Sequence, residues 1–245
     1  MPRLLIKFPT RNRPDKFQRV LTRYRELLSG KHQVKFVISC DVTDWRMNNL
    51  RMRRWLREFA ESTPLDVHFG WSWTKIQAVN ADLCHEDADV LLVASDDMNP
   101  QVEGYDDLIF ASFEKHFPDF RGAIKFNDGL RDDDLITYPV LGWPLYKAFG
   151  YIYHPKYWSV FSDNEQTESC RALGVLAVEE RCLIRHEWTR DHFDLLHKRN
   201  ENRWMYRRDG RIFSQRRNHG FEIERVKRAL RGLETDQQQT GYRAP

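Results

Sequence analysis

Two adjacent carboxylates, Asp96 and Asp97, close the apolar run Val90-Leu91-Leu92-Val93-Ala94-Ser95, just before Met98-Asn99-Pro100. Hard oxygen ligands in that position suit a divalent cation, Mn²⁺ or Mg²⁺, that bridges phosphate oxygens and neutralises charge on a departing group. A double Asp after a strand also occurs in phosphatases, nucleases and ordinary loops, so its meaning depends on its neighbours. A second polar cluster, Pro9-Thr10-Arg11-Asn12-Arg13-Pro14, follows the first apolar run and opens a helix. Arginines beside a helix N-terminus favour anions or nucleotide edges. The ligand-free alternative is a capped helix, with Thr10 or Asn12 near its start and Pro14 in its first turn. Asp41 ends a further apolar run, where its carboxylate can accept hydrogen bonds from a base or ribose. Lys75 and Asn80 precede the double-Asp run and can meet a diphosphate and a hydroxyl, or be solvated surface groups.

These residues require elements that bring them together. Leu4 to Phe8, Val34 to Cys40, Leu65 to Phe69 and Val90 to Ala94 are short β-branched or aromatic runs bounded by polar residues, as buried strands are. After Pro14, the three- and four-residue spacing of Phe17, Val20, Leu21, Tyr24, Leu27 and Leu28, with Gly30 beyond, predicts a helix. Leu50 to Phe59 and Trp73 to Leu83 carry weaker helical patterns. The first hundred residues thus alternate strand and helix in the manner of a wound, mainly parallel sheet, with ligands expected at the strands' carboxyl ends. The second half is less regular: strands at Ala123 to Phe126 and near Tyr138 to Leu141, a helix around Trp143 to Phe149, and another beginning near Asp163.

That half supplies further candidates. Asn127 and Asp128 lie in Phe126-Asn127-Asp128-Gly129, and Asp163 and Glu165 lie in Ser162-Asp163-Asn164-Glu165 at a helix start, where carboxylates commonly cap. Trp143, Tyr146, Phe149, Tyr151, Tyr153, Tyr157 and Trp158 are close enough in sequence to build one aromatic wall for a ring-shaped ligand, with at least half of them expected in the core.

With these motifs together, the sequence resembles the GT-A glycosyltransferases, particularly small phage and bacterial members of the family-2-like group, over residues 3 to 188. The resemblance rests on Pro9 to Pro14, Asp41, Lys75 with Ala78 and Asn80, Ser95 to Asp97, and His186. It implies an α/β GT-A fold, a Rossmann-like mixed sheet that binds a nucleotide-diphospho-sugar. By that resemblance Thr10, Arg11 and Asp41 hold the nucleoside of a UDP-sugar, Lys75 the diphosphate, and Asp96 the donor ribose or sugar, with Pro9, Arg13, Asn80 and Ser95 completing the donor-binding set. Asp97 and His186 would bind the metal. Asp163 would be the general base of an inverting transfer, with Glu165 the second candidate. Ser95 departs from the family pattern, which often starts its aspartate-rich motif with Asp, and so offers only a hydroxyl there.

The chain has 245 residues, 41% hydrophobic and 13% aromatic, enough for a sizeable core. It divides into a catalytic domain at 1–188 (a nucleotide-sugar half at 1–100, an acceptor half at 101–188), a basic helical extension at 189–233, and a disordered tail at 234–245. No run is long or apolar enough for a signal peptide or membrane anchor, so a cytoplasmic protein is expected. The widely spaced Cys40, Cys84, Cys170 and Cys182 read as reduced core thiols. The net charge of +3 conceals an asymmetry: residues 198–231 hold twelve Lys/Arg against four Asp/Glu, including Arg203 and Arg207. Trp204, Tyr206, Phe213 and Phe221 are interleaved with these arginines, a mixture that fits phosphate contacts with base stacking. Arg46, Arg51, Arg53, Arg54 and Arg57 are a second basic group, expected to extend this surface. The acceptor set is then Asn127, Asp128, Trp143, Tyr153, Arg203 and Arg207. The expected acceptor is a hydroxymethylated pyrimidine in DNA, as in phage enzymes of the resembling group. A surface glycan or other saccharide is the rival acceptor, and a non-catalytic nucleic-acid-binding protein the rival class.

Overall fold

Alternating burial along the strands sets the architecture. In β1 (Arg3–Thr10), Leu4, Ile6 and Phe8 join one apolar cluster while Leu5 joins another on the opposite side, so the strand is covered on both faces. The computed structural model describes residues 1–131, 133–187 and 201–240, with side chains to residue 233. After β1 the elements run α1 (Pro14–Glu26), β2 (Gln33–Asp41), α2 (Leu50–Ala60), β3 (Leu65–Gly70), α3 (Lys75–Asn80) and β4 (Val90–Val93). Then come β5 (Met98–Pro100), α4 (Tyr105–His116), β6 (Ala123–Phe126), β7 (Val140–Gly142) and α5 (Trp143–Phe149). The remainder is α6 (Ser162–Leu173), β8 (Leu176–Glu179), β9 (Ile184–His186), α7 (Arg203–Asn218), a short turn of 3₁₀ helix at Gly220–Glu222, and α8 (Ile223–Thr240).

Seven strands form one sheet in the order β3-β2-β1-β4-β7-β6-β8. All neighbouring pairs are parallel except those made by β7, which runs antiparallel to β4 and β6. The chain winds from β1 outward to β3, then crosses to the other side of β1 for β4, so the carboxyl ends of β1 and β4 flank a topological switch point. Helices α1, α2 and α4 cover the face of Leu4, Ile6 and Phe8, while α3 and α5 cover the other. Gly142 is required at the β7–α5 corner, because a Cβ there would stand 1.6 Å from the Phe120 carbonyl oxygen.

The basic extension is part of this body. Ile212 and Phe213 of α7 pack on the cluster of Leu5, Leu91 and Val93, and Val226 of α8 is buried with Leu145, Ala148 and Phe149 of α5. The expected 188/189 boundary lies outside the described residues, but residues 201–233 have no core of their own. Within the expected tail, α8 extends to Thr240, and residues 241–245 lie outside the described residues. The second arginine group is also corrected. Arg51 and Arg54 line a separate groove with Arg19 and Arg23 between α1 and α2, on the far side of the sheet from α7. Of the cysteines, Cys40 and Cys170 are buried, Cys182 is intermediate and Cys84 is exposed, so the core expectation fails at Cys84.

Two buried charges of α7 tie it to the first turn of α6 and to the segment just before it. Asp209 is fully buried and accepts the backbone amides of Trp158, Ser159 and Val160 at 3.1, 2.8 and 3.1 Å. Arg216 donates to Glu165 from Nε at 2.7 Å and from Nη2 at 2.8 Å, and Glu165 also accepts the Tyr157 hydroxyl at 2.6 Å. Replacing Arg216 with Met leaves Glu165 buried without its cation, and should cost about 3–5 kcal/mol of stability in denaturant unfolding. Glu165→Leu combined with Arg216→Met should recover much of that loss.

His154 abuts the same cluster and is 8% exposed. Burial, then the positive charge of Arg216, lowers its pKa from 6.5 to about 4. The unfolded chain therefore binds the extra proton first as pH falls. Stability should be intact above pH 6.5 and decline as pH falls toward 4. Unfolding curves across that window should be flatter for His154→Asn; equal slopes would dismiss His154 as the source.

Candidate active site

Because β1, β2 and β4 are parallel and in register, Thr10 lies opposite Cys40 and Lys7 opposite Val93. The residues that follow each strand therefore converge on a cleft of about 820 Å³ at the switch point. Pro9, Thr10, Arg11, Arg13, Asp41, Lys75, Ser95, Asp96 and Asp97 all line it, as do Asp128, Tyr153, Asp163 and His186.

The turn after β1 is not held by a simple helix cap, since Arg13 at the N-cap position of α1 makes no side-chain cap hydrogen bond. Carboxylates from neighbouring segments hold it instead. Asp44 accepts the Asn12 amide, Asp41 accepts Arg11 Nη1 at 2.8 Å, and Asp96 accepts Arg13 Nη1 at 2.7 Å. Asn12 adopts φ 63°, a left-handed conformation Asn tolerates better than most residues. The Thr10 hydroxyl is buried with no hydrogen-bond partner. Asp128 Oδ2, Thr137 Oγ1 and Ser159 Oγ are in the same condition, and all four residues line the cleft. Unsatisfied buried polar atoms are uncommon, and a group in one cleft is what a polar ligand would satisfy.

His186 reaches the double Asp through a small second sheet. Strands β5 and β9 pair antiparallel with Met98 opposite His186, and the Glu187 amide donates to the Asp97 carbonyl at 2.7 Å. This register sets His186 Nε2 3.9 Å from Asp97 Oδ2. Two ligands each about 2.0–2.1 Å from one ion lie at most about 4 Å apart, so the pair fits a shared divalent cation with ligand oxygens completing the shell. Among the described residues no group of three or more His, Cys, Asp or Glu side chains is arranged to hold a metal alone.

The carboxylates differ in electrostatics. Burial pushes Asp96 up to about 6, although Arg13 opposes it. Asp97 is buried too, but the neighbouring His186, the Ser95 hydroxyl and the charge of Lys75 hold it well below the ordinary carboxylate value. Against the upward push of burial, hydrogen bonds from Thr43 and the charge of Arg11 keep Asp41 low. Asp163, at the start of α6, is raised by burial, with Lys75 the largest opposing influence. Lys75 thus acts on both Asp97 and Asp163 and sits electrostatically between the metal pair and the far wall. The positive end of a helix favours an ionised carboxylate; at Asp163 desolvation outweighs it.

Six expected site residues are corrected. Glu165 is 3% exposed and saturated by Arg216 and Tyr157, so it is a structural anchor and not a base. Asn80 accepts the amides of Ile152 and Tyr153, both at 3.0 Å, and donates to the Tyr153 carbonyl at 2.6 Å, so it joins α3 to the 152–153 segment. Trp143 is buried in the core cluster beneath β4. Asn127 lies outside the cleft lining and accepts the Gly129 amide at 2.7 Å. Arg203 and Arg207 are exposed on α7, also outside the lining. Of the aromatic wall only Tyr153 lines the cleft.

The structure adds residues that sequence patterns did not single out. Ser72, Trp73 and Thr74 line the cleft ahead of α3, and Thr74 caps that helix by accepting the Gln77 amide. The Trp-Ser-Trp-Thr run, two large aromatics beside a helix cap, was the available signal. Phe161 lines the opposite wall at φ 64°, a strained conformation for a bulky residue at the N-cap of α6. It is held by stacking on Phe213 at 5.6 Å and by the Asp209 clamp on the preceding amides.

No family model and no curated protein matches this sequence. Solved structures do share its fold. It is similar to the mannosyltransferase PcManGT from Pyrobaculum calidifontis, solved with GDP-Man and Mn²⁺, at a TM-score of 0.64 and 13% identity over 78% of this chain and 59% of that one. It is also similar to S. aureus TarS 1-349 with UDP-GlcNAc, at a TM-score of 0.59 and 13% identity over 75% of this chain and 58% of that one. The chain spans less than two thirds of the length of either. The expected α/β architecture is thus the fold of GT-A-like glycosyltransferases, a mostly parallel seven-stranded sheet. No helix among the described residues is long and apolar enough to cross a membrane.

Proposed function

We propose that this chain is a metal-dependent, inverting glycosyltransferase that moves a sugar from a UDP-sugar to a hydroxyl acceptor. The observation that carries this reading is the pairing of Asp97 with His186 across β5 and β9, facing Lys75 and Asp163 in one cleft. PcManGT with GDP-Man and Mn²⁺ and TarS with UDP-GlcNAc support a nucleotide-sugar donor and a divalent ion.

Thr10, Arg11 and Asp41 would bind the nucleoside, with the unpartnered Thr10 hydroxyl free for a polar edge. Arg13 and Asp96 would orient the ribose or sugar, and Lys75 would meet the diphosphate. A divalent ion on Asp97 and His186 would supply Lewis-acid neutralisation of diphosphate charge. Asp163 takes the acceptor hydroxyl's proton as that oxygen bonds to the anomeric carbon, and the bond from this carbon to the diphosphate oxygen breaks, releasing UDP. A raised pKa makes Asp163 a stronger base than an ordinary carboxylate. The buried walls at Tyr153 and Ser162 would limit water at the reacting centre.

For the acceptor we favour a 5-hydroxymethylpyrimidine in DNA, supported by the arginines of α7 beside the cleft, where Tyr206 of the same helix lines the wall. Mass spectrometry of nucleosides tests this directly, after plain and 5-hydroxymethylpyrimidine DNA are incubated with protein, Mn²⁺ and UDP-sugars. A hexose- or N-acetylhexosamine-sized gain on the modified base alone is expected. Hydrolysis of donor without any gain would redirect the acceptor to saccharides, and no donor turnover in the presence of Mn²⁺ would reject the enzyme.

A further inference from the structure

Tryptophan is costly to leave in water, yet several indoles are exposed around the cleft mouth. Trp71 and Trp73 are 69% and 78% exposed, and their rings stack on one another at 6.4 Å with an interplanar angle of 23°. Trp158 and Trp204, 39% and 56% exposed, form a second pair at 5.4 Å. The pairs adjoin, because the Ile76 amide at the start of α3 approaches the Trp158 carbonyl at 3.4 Å. Ser72, Trp73, Thr74 and Ser159 also line the cleft, so both pairs stand on its lip. A monomer rarely exposes so much contiguous aromatic surface without a ligand for it.

The charge beside this lip restricts what the ligand is. Arg208 lies over the Trp158 ring at 4.0 Å, and Arg203, Arg207 and Arg211 are exposed on the same helix as Trp204. Arg208 is already paired with Asp209, but a neutral saccharide would use the indole faces and leave the exposed Arg203, Arg207 and Arg211 without a role. A strand with planar bases and a phosphate at every step would use both. An intact duplex offers its phosphates but hides its base faces within the stack.

We propose that the lip formed by Trp71, Trp73, Trp158 and Trp204 docks an unpaired nucleic-acid strand, its bases stacked on the indoles and its phosphates on the α7 arginines. This rests on the reading of the cleft as the site of sugar transfer. The cleft then receives a nucleotide already removed from its duplex, and the lip holds the flanking nucleotides on either side of it.

The test is fluorescence anisotropy of the full chain with a labelled single-stranded oligodeoxythymidylate and with a duplex of equal length. The single strand should bind at least about 10-fold more tightly and quench tryptophan emission. Trp71→Ala and Trp204→Ala should each weaken single-strand binding by about 5- to 100-fold, with aromatic replacements (Trp204→Tyr) retaining part of it. Arg207→Gln should reduce the salt dependence of binding. Equal or tighter duplex binding would overturn the proposal, as would Trp variants that keep full single-strand affinity, or quenching by oligosaccharides alone. UDP-sugar hydrolysis by the unaltered chain is measured separately. Strand binding that depends on the indoles, with no donor turnover, would remove the reading of the cleft and leave the docking surface standing.

Discussion

Asp97→Asn is expected to lower Mn²⁺-dependent donor turnover by about 10³-fold, equivalent to about 4 kcal/mol of barrier. Its carboxylate stands 3.9 Å from His186 and is held ionised despite burial, which is the state a metal ligand requires. The amide of Asn keeps the shape and removes the charge, so the loss should be chemical and not structural. Mn²⁺ affinity, read by electron paramagnetic resonance of the free ion, should fall with turnover, and His186→Ala should move it in the same direction. Asp96→Asn should behave differently: Asp96 is paired with Arg13 at 2.7 Å, so donor binding should suffer more than metal affinity. Asp97→Asn with unchanged Mn²⁺ affinity would remove the ion from this pair.

Much of this site is legible in the sequence. Apolar runs ending in polar residues marked β1, β2 and β4, and parallel register alone brings Thr10, Asp41 and Ser95 to one edge. Long-range pairing was not legible. Met98 and His186 are opposite one another in a three-residue strand pair, too short for any periodicity, and His186 entered only through a family resemblance. The two carboxylates of α6 show the same limit at short range. At about 100° per residue, Asp163 and Glu165 point to nearly opposite sides of their helix. One therefore faces the cleft and the other faces Arg216, and which is which depends on a cation 51 residues away. Composition likewise could not separate Trp143, buried under β4, from Trp73, exposed on the lip.

The partners of α7 also give the basic extension a second role. Asp209 fixes the amides of 158–160, Arg216 fixes Glu165, and Phe213 stacks on Phe161, so the segment leading to Asp163 is held from one helix. That same helix carries its exposed arginines outward. Strain at Phe161 persists because the surrounding contacts over-determine it. The position of the proposed base therefore depends on residues whose charge pattern first suggested only a surface.

Asp163→Asn should reduce sugar transfer by about 10²–10⁴-fold, since the amide cannot accept the acceptor proton. Donor affinity should be unchanged, which separates this variant from those at Asp41 or Lys75. The pH dependence gives a second readout with a definite sign. A base works only when ionised, so activity rises with pH through its pKa. Burial sets that pKa above 3.8, and the acid limb of kcat/KM should accordingly lie above the ordinary carboxylate range. Lys75 opposes this rise; Lys75→Met should therefore move the limb to still higher pH, apart from any loss in amplitude through weaker diphosphate binding. If transfer by Asp163→Asn stays within a few-fold of the original chain, or the limb fails to move in Lys75→Met, the proton goes elsewhere. Glu165 would not be the substitute, because its carboxylate is already bound on both oxygens by Arg216.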